Sequence, residues 1–220
     1  MAMTKESVER IAVRQFSLKL SEASRHDCVA MMLEVLRERR TVLPKRLMFP
    51  GPSSQELQLL LEAASTAPDH AQIVPWRFLN FPEASRPALG ELFANALIER
   101  DSNASKDEIN QARAKADRAP LLLLLVVDEA KGDCKVDLNE RLISAGCAVQ
   151  NVLSCATAMG FGSAVTSGKA LKSDSFRRGL GLDHQAHAIC FISVGSFNFT
   201  QPIKVRPVSD EFFSNWVPNS

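Results

Sequence analysis

Seven consecutive apolar residues, Leu121 to Val127, follow the Ala119-Pro120 break with no polar side chain among them. A strand sends alternate side chains to opposite faces, so a run that is apolar at every position has to be covered on both sides. The run is far short of the roughly 20 residues that cross a bilayer. It therefore predicts a buried strand within a sheet flanked by helices, and 220 residues suffice to bury a core of that kind.

Helical periodicity supplies the flanking layers. Asp27 opens a segment with Val29, Met32, Leu33 and Leu36 at helical spacing, ahead of Arg39-Arg40. After Pro44 and Pro50-Gly51, Ser53 and Glu56 form a capping-box pair that leads into Leu57, Leu60, Leu61 and Ala64. Arg77 to Phe81 reads as a strand, Arg86 to Glu99 as a helix, and Lys106 to Arg118 as an exposed charged helix. Residues 139 to 159 carry the longest periodic pattern, with Leu142, Ala145, Val149, Val152, Leu153 and Ala156 on one face. The small centre of that helix, Ser144 to Ala148, lets another backbone come close, which suits a central position and a subunit interface. A strand near Phe161 to Thr166, a helix after Ser173 and a strand from Ala188 to Val194 complete the order. The alternation fits α+β or α/β, with helices on both faces of one sheet. Residues 1–24, polar and weakly periodic, are expected to be a docking arm or a disordered leader, and 25–220 to be one domain.

Composition narrows the partners. With 26 basic and 25 acidic residues the net charge is +1, which leaves no overall electrostatic footprint for nucleic acid or an anionic membrane. The five cysteines are scattered without a C-x-x-C pair, which argues against a disulfide framework or zinc site and suits a reducing, cytoplasmic compartment. His184 and His187 lack a third ligand, so no metal is expected. The N-terminus has no apolar stretch of the signal-peptide kind.

Four separated segments hold candidate ligand groups. Between Ala67 and Phe78, Pro68 and Pro75 bias the residues before them away from helix, so the stretch between is expected to be extended, presenting His70 and Gln72 as fixed polar groups. Arg39-Arg40-Thr41 offers forked, charge-assisted donors to a phosphate, although basic residues also suit a solvated helix C-terminus. Gly160 to Gly168 has glycines that admit a flat ligand, and a helix cap followed by a strand explains Gly160 and Gly162 equally well. Lys204 and Arg206 fall on one side of an extended tail.

The Ala67 to Phe78 stretch resembles the helix-to-strand segment of the nitroreductase family, FMN-dependent oxidoreductases whose usual pattern there is A-P-S-x-x-N-x-Q-P-W. Here Asp69-His70 occupy the middle, Gln72 the Asn position and Val74 the Gln position, a version similar to that of a compact bacterial subgroup. Val74 lacks the amide that the usual Gln supplies. The resemblance spans about residues 30 to 215 and implies an α+β fold, with a central, mainly antiparallel sheet, helices on both faces and an intertwined homodimer. It implies FMN as cofactor, NADH or NADPH as donor, and hydride transfer through flavin N5 to an electron-poor small molecule such as a nitroaromatic or quinone. By the same resemblance Arg39, Arg40, Thr41, Lys204 and Arg206 hold phosphate and ribityl. His70, Gln72, Val165, Thr166, Ser167 and Gly168 surround the ring, with Ser167 or Gly168 at N5. No conventional nucleophile or acid–base pair stands out, and a flavin enzyme needs none. The competing readings are a non-catalytic flavin- or ligand-binding regulator, a dehalogenase or flavin-breakdown enzyme on the same scaffold, and a structural dimer without flavin.

Overall fold

The computed structural model describes residues 22–199 and 205–218. The chain divides into two compact units at Glu38/Arg39. In the first, α1 (Glu22–Glu38) is a single helix whose Val29, Met32, Leu33 and Leu36 fall on one stripe. Residues 1–21, most of the expected arm, lie outside the described residues.

The second unit is built on four antiparallel strands: β1 (Trp76–Asn80), β2 (Leu121–Asp128), β3 (Gly162–Thr166) and β4 (Ala186–Gly195), in the order β1-β2-β4-β3. As the seven-residue run predicts, every residue of β2 from Leu121 to Val127 is buried. Its odd positions, Leu121, Leu123, Leu125 and Val127, pack with Cys190, Ile192 and Val194 of β4 against α2 (Ser54–Ser65) and α5 (Leu138–Ala158). Its even positions, Leu122, Leu124 and Val126, face α3 (Arg86–Arg100), the short α4 (Lys106–Arg113) and α6 (Asp174–Gly179). Phe93, Phe176 and Phe191 meet there, with Phe93 centred 5.1 Å from Phe176 and 5.4 Å from Phe191. At roughly 1.5–3 kcal/mol for each large apolar side chain removed from water, the two layers account for most of the drive to fold.

Local chemistry sets the ends of the elements that carry the site. α2 starts in the expected capping box: Ser53 Oγ accepts the Glu56 N–H at 3.3 Å and Glu56 accepts the Ser53 N–H at 2.7 Å. α5 stops at a left-handed glycine, Gly160 (φ 82°), with Phe161 N bonded to Ala156 O and Gly160 N to Thr157 O, a Schellman closure that turns the chain into β3. Among the described residues no helix is long and apolar enough to cross a membrane.

Candidate functional site

Two groups of the expected site residues lie at opposite corners of the sheet. At the β3 edge, Thr41 bridges Ser163 in parallel and the Val42 N–H donates to Ser163 O at 2.9 Å, so Arg39-Arg40-Thr41 runs alongside β3. The join is tight, because a methyl group on Gly162 would come within 2.7 Å of Val42 Cγ2. Arg206, far along the chain, returns to the same place and donates through Nη2 to the Arg39 carbonyl at 3.0 Å. Burial first, then the charges of Arg206 and Arg40, hold the Arg39 pKa below its ordinary value. Three guanidinium groups therefore gather at one spot. Lys204 lies outside the described residues.

At the other edge, the segment leading into β1 is not extended. Asp69 has extended backbone (φ −143°, ψ 110°), and His70–Gln72 form a tight turn closed by the Gln72 N–H on Asp69 O at 3.2 Å. Ala71, Gln72 and Val74 take left-handed φ values of 59°, 53° and 45°. The Asp69 carboxylate accepts the Val74 N–H at 2.6 Å and closes the loop on itself. Pro75 does keep Val74 out of the right-handed helical region, but the side-chain cap turns it left-handed rather than extended. The loop leans on α5 and on the connection before it. His70 Nδ1 lies 3.1 Å from Glu140 Oε1, Trp76 Nε1 donates to Ser144 Oγ at 3.1 Å, and Ile73 sits so close to Gly132 that a methyl group there would approach its Cγ2 to 2.4 Å. His70 and Gln72 are both exposed.

The registers measure the separation. Ser163 is level with Val194 and Leu121, whereas Trp76 is level with Val127. Three strand spacings across (about 14 Å) and six residues along β2 (about 20 Å) put the two corners roughly 25 Å apart. One copy of the chain does not bring His70 and Gln72 to Arg39 and Thr41.

Beside the first corner lies a cavity of about 650 Å³ on the α3 side of the sheet. Phe93, Leu122 and Phe191 form its floor, Thr166, Ser167 and Gly168 one wall, and Leu43, two residues beyond Thr41, another. The alternation of β3 puts Thr166 on this face with Phe191, and Val165 on the opposite face with Ile192. Gly168 meets nothing within 4 Å of an added methyl group, so the approach to its backbone is open. Lys45, Arg100, Lys115, Arg118 and Lys169 also line the cavity, and sequence reasoning missed all five. Lys115 and Arg118 fall in the charged stretch that reads as an exposed helix, where periodicity carries no sign of a cavity.

The model of the Nitroreductase family matches residues 36–196, which include the cavity, the second corner and all of the first but Arg206. The chain belongs to the nitroreductase family. It is 34% identical over 166 residues to "Putative NAD(P)H nitroreductase YdjA" of Escherichia coli strain K12, covering 74% of this chain and 87% of the relative. It is 30% identical over 152 residues to a "Putative NAD(P)H nitroreductase" of Haemophilus influenzae, covering 69% and 82%. Among solved structures, the nitroreductase-like family protein from Bacillus cereus superposes with a TM-score of 0.70 at 20% identity, over 83% of this chain and 94% of that one. A mutant of the FMN and NADPH-dependent nitroreductase NfnB from Sphigopyxis sp. strain HMH gives 0.65 at 17% identity, over 83% and 97%. These likenesses bear out the expected α+β nitroreductase fold.

Proposed function

We propose that this nitroreductase-family chain is an FMN-dependent NAD(P)H oxidoreductase that acts as a homodimer on electron-poor small molecules such as nitroaromatics or quinones. The observation that carries the reading is the gathering of Arg39, Arg40 and Arg206 at the edge of β3, a few residues from an apolar-floored cavity. Mutual repulsion among like charges is relieved by a dianion, so the donor set suits a nucleotide phosphate. The names of the relatives, which include an FMN and NADPH-dependent enzyme, support the same cofactor and donor.

In this reading Arg39, Arg40, Thr41, Lys204 and Arg206 hold the phosphate and ribityl. Thr166, Ser167 and Gly168 line the ring, with the exposed Val165 on the other face of β3. When bound, FMN supplies two-electron chemistry, taking hydride from the nicotinamide and passing it to the acceptor. The protein's part is to orient the ring, exclude water and supply hydrogen bonds. The second corner, with His70 and Gln72, closes the site from a second copy, which explains why one chain keeps the two corners apart. Exposed Ile143 on α5 and the exposed tail residues Phe212, Phe213, Trp216 and Val217 provide apolar surface for that association.

The test is direct. Purified protein is expected to be yellow, with about one FMN released per subunit, and to bleach when mixed anaerobically with NADPH or NADH. A colourless chain that takes up no added FMN would overturn the reading. A yellow chain that bleaches with neither nucleotide would leave a flavin-binding regulator in its place.

A further inference from the structure

Among the described residues, five side chains lining the cavity are cationic, Lys45, Arg100, Lys115, Arg118 and Lys169, and none is acidic. This is a local excess in a chain whose net charge is only +1. Nearby, Arg113 at the end of α4 is paired with Glu91 at 2.6 Å. Among the described residues no carboxylate lies within ion-pairing distance of any of the five. Three come from one wall, Arg100 at the end of α3 and Lys115 and Arg118 in the stretch after α4. They are close enough to act on one another: desolvation first, then Arg118 and Arg100, lower the Lys115 pKa. Thr166, Ser167 and Gly168 and the aromatic and aliphatic floor line the same cavity.

A pocket that combines an aromatic and aliphatic floor with unopposed cations discriminates by apolar ring and by charge. We propose that, beside a flavin ring held against Thr166, Ser167 and Gly168, the cavity keeps an acceptor site selective for aromatic anions, with the acceptor's ring on Phe93, Leu122 and Phe191 and a carboxylate or sulfonate turned to Arg100, Lys115 and Arg118. The assignment of the bound molecule as an electron acceptor rests on the FMN reading, whereas selectivity for the anion rests on the cavity alone. NADPH carries phosphate charge that the same cations could take, so the experiment separates the two sources.

The probes are 4-nitrobenzoate and 4-nitrobenzamide, which share a nitroaromatic ring and differ in charge. Each is titrated calorimetrically into the FMN-loaded protein at low and at high ionic strength. The carboxylate is expected to bind roughly tenfold more tightly at low ionic strength, with the preference shrinking as salt screens it. Lys115→Met and Arg118→Met each remove a charge but keep an apolar stem, and each is expected to erase most of the preference. Lys106→Met, on the exposed face of α4, is expected to leave it intact. Equal affinity for both probes in the unmodified protein overturns the proposal whether or not the variants fold, as does a preference that survives both substitutions. Displacement of bound 4-nitrobenzoate by NADP+ with loss of the charge preference reassigns the cations to the nucleotide and overturns the acceptor assignment. A chain that takes up no FMN defeats the FMN reading, and the carboxylate–amide comparison on that same chain still decides whether the cavity selects anions.

Discussion

Replacing Arg141 with Met tests how the second corner of the site is held. Arg141 is 1% exposed, and its guanidinium is caged by backbone carbonyls rather than paired with a carboxylate. Nε donates to Val136 O at 2.9 Å, Nη1 to Asp128 O at 3.1 Å and to Lys131 O at 2.6 Å, and Nη2 to Asp133 O at 2.8 Å. The Asp128 acceptor ends β2, and the other three belong to the connection between β2 and α5. That connection carries Gly132, against which Ile73 packs, and it leads to Glu140, which meets His70. Four bonds to a charged donor, at about 1.5–3 kcal/mol each, would sum to roughly 6–12 kcal/mol if nothing opposed them. Stripping water from a guanidinium costs several kcal/mol in return. Residues 129–135 are exposed, so water can replace the lost bonds at Lys131 and Asp133, leaving chiefly the Asp128 and Val136 carbonyls unsatisfied. At about 1–3 kcal/mol per orphaned carbonyl, with Met preserving much of the packing, the net loss is about 3 kcal/mol.

For a unit of this size that corresponds to a drop in Tm of about 6–12 °C. Scanning calorimetry of the wild type, Arg141→Met and Arg141→Lys reads it. Lys keeps the charge but has no planar fork with which to span four carbonyls, so it should recover less than half of the loss. A Lys variant as stable as the wild type would refute the argument from geometry, and a Met variant within about 1 °C of the wild type would refute the cage itself. The same variant should weaken FMN binding through the loosened 69–75 loop, while phosphate protection by Arg39 and Arg206 persists.

Further expectations follow from single contacts. Gly132→Ala places a side chain at φ 76° and 2.4 Å from Ile73 Cγ2, so urea unfolding should show a loss of roughly 2–3 kcal/mol, and an unchanged midpoint would mean that Ile73 moves freely. Glu99 is held at about 2, below its ordinary 4.5, by the hydroxyls of Ser175 and Ser173 and by the backbone N–H groups of Ser175 and Asp174. Because its folded pKa is depressed, its stabilising contribution is present above pH 4.5 and is lost as pH falls towards 2, so Glu99→Gln should flatten the unfolding midpoint's pH dependence in that window. Burial pushes the Cys190 thiol up to about 11, so under native conditions iodoacetamide should modify the exposed Cys28 and Cys134 well before Cys190, as mass spectrometry of peptides would show.

Much of this architecture is legible in the chain because it depends on local rules. The apolar run 121–127 dictates a strand covered on both faces, and Ser53 with Glu56 dictates where α2 begins. Gly160 is explained by the end of a helix. The loop between Pro68 and Pro75 was misjudged because proline restricts only its own φ and its predecessor, whereas the conformation is decided by the Asp69 carboxylate reaching Val74 five residues on. The cationic wall was missed for a related reason. Arg100 and Arg118 are brought to one cavity by the packing of α3 on the segment after α4, and no periodicity within either stretch records it.

The deepest gap concerns strand order. Motifs that follow one another along the chain suggest a single pocket, but β1 enters at one edge of the sheet and Arg39-Arg40-Thr41 aligns with β3 at the other. Hydrophobic pattern reports which face of a strand is buried and carries no information about which neighbour it pairs with. In the proposed reading, a site made of motifs from both ends of the sheet is shared between two chains. The exposed tail and the open face of α5 at Gly146, where nothing lies within 4 Å of an added methyl group, are the surfaces that such sharing would cover. Association and cofactor binding should therefore be linked: dilution that separates the copies should release FMN, and saturating FMN should shift the dissociation to lower protein concentration. Sedimentation followed at both the protein and the flavin absorbance would read the two together, and a monomer that retains stoichiometric FMN would show that one corner suffices.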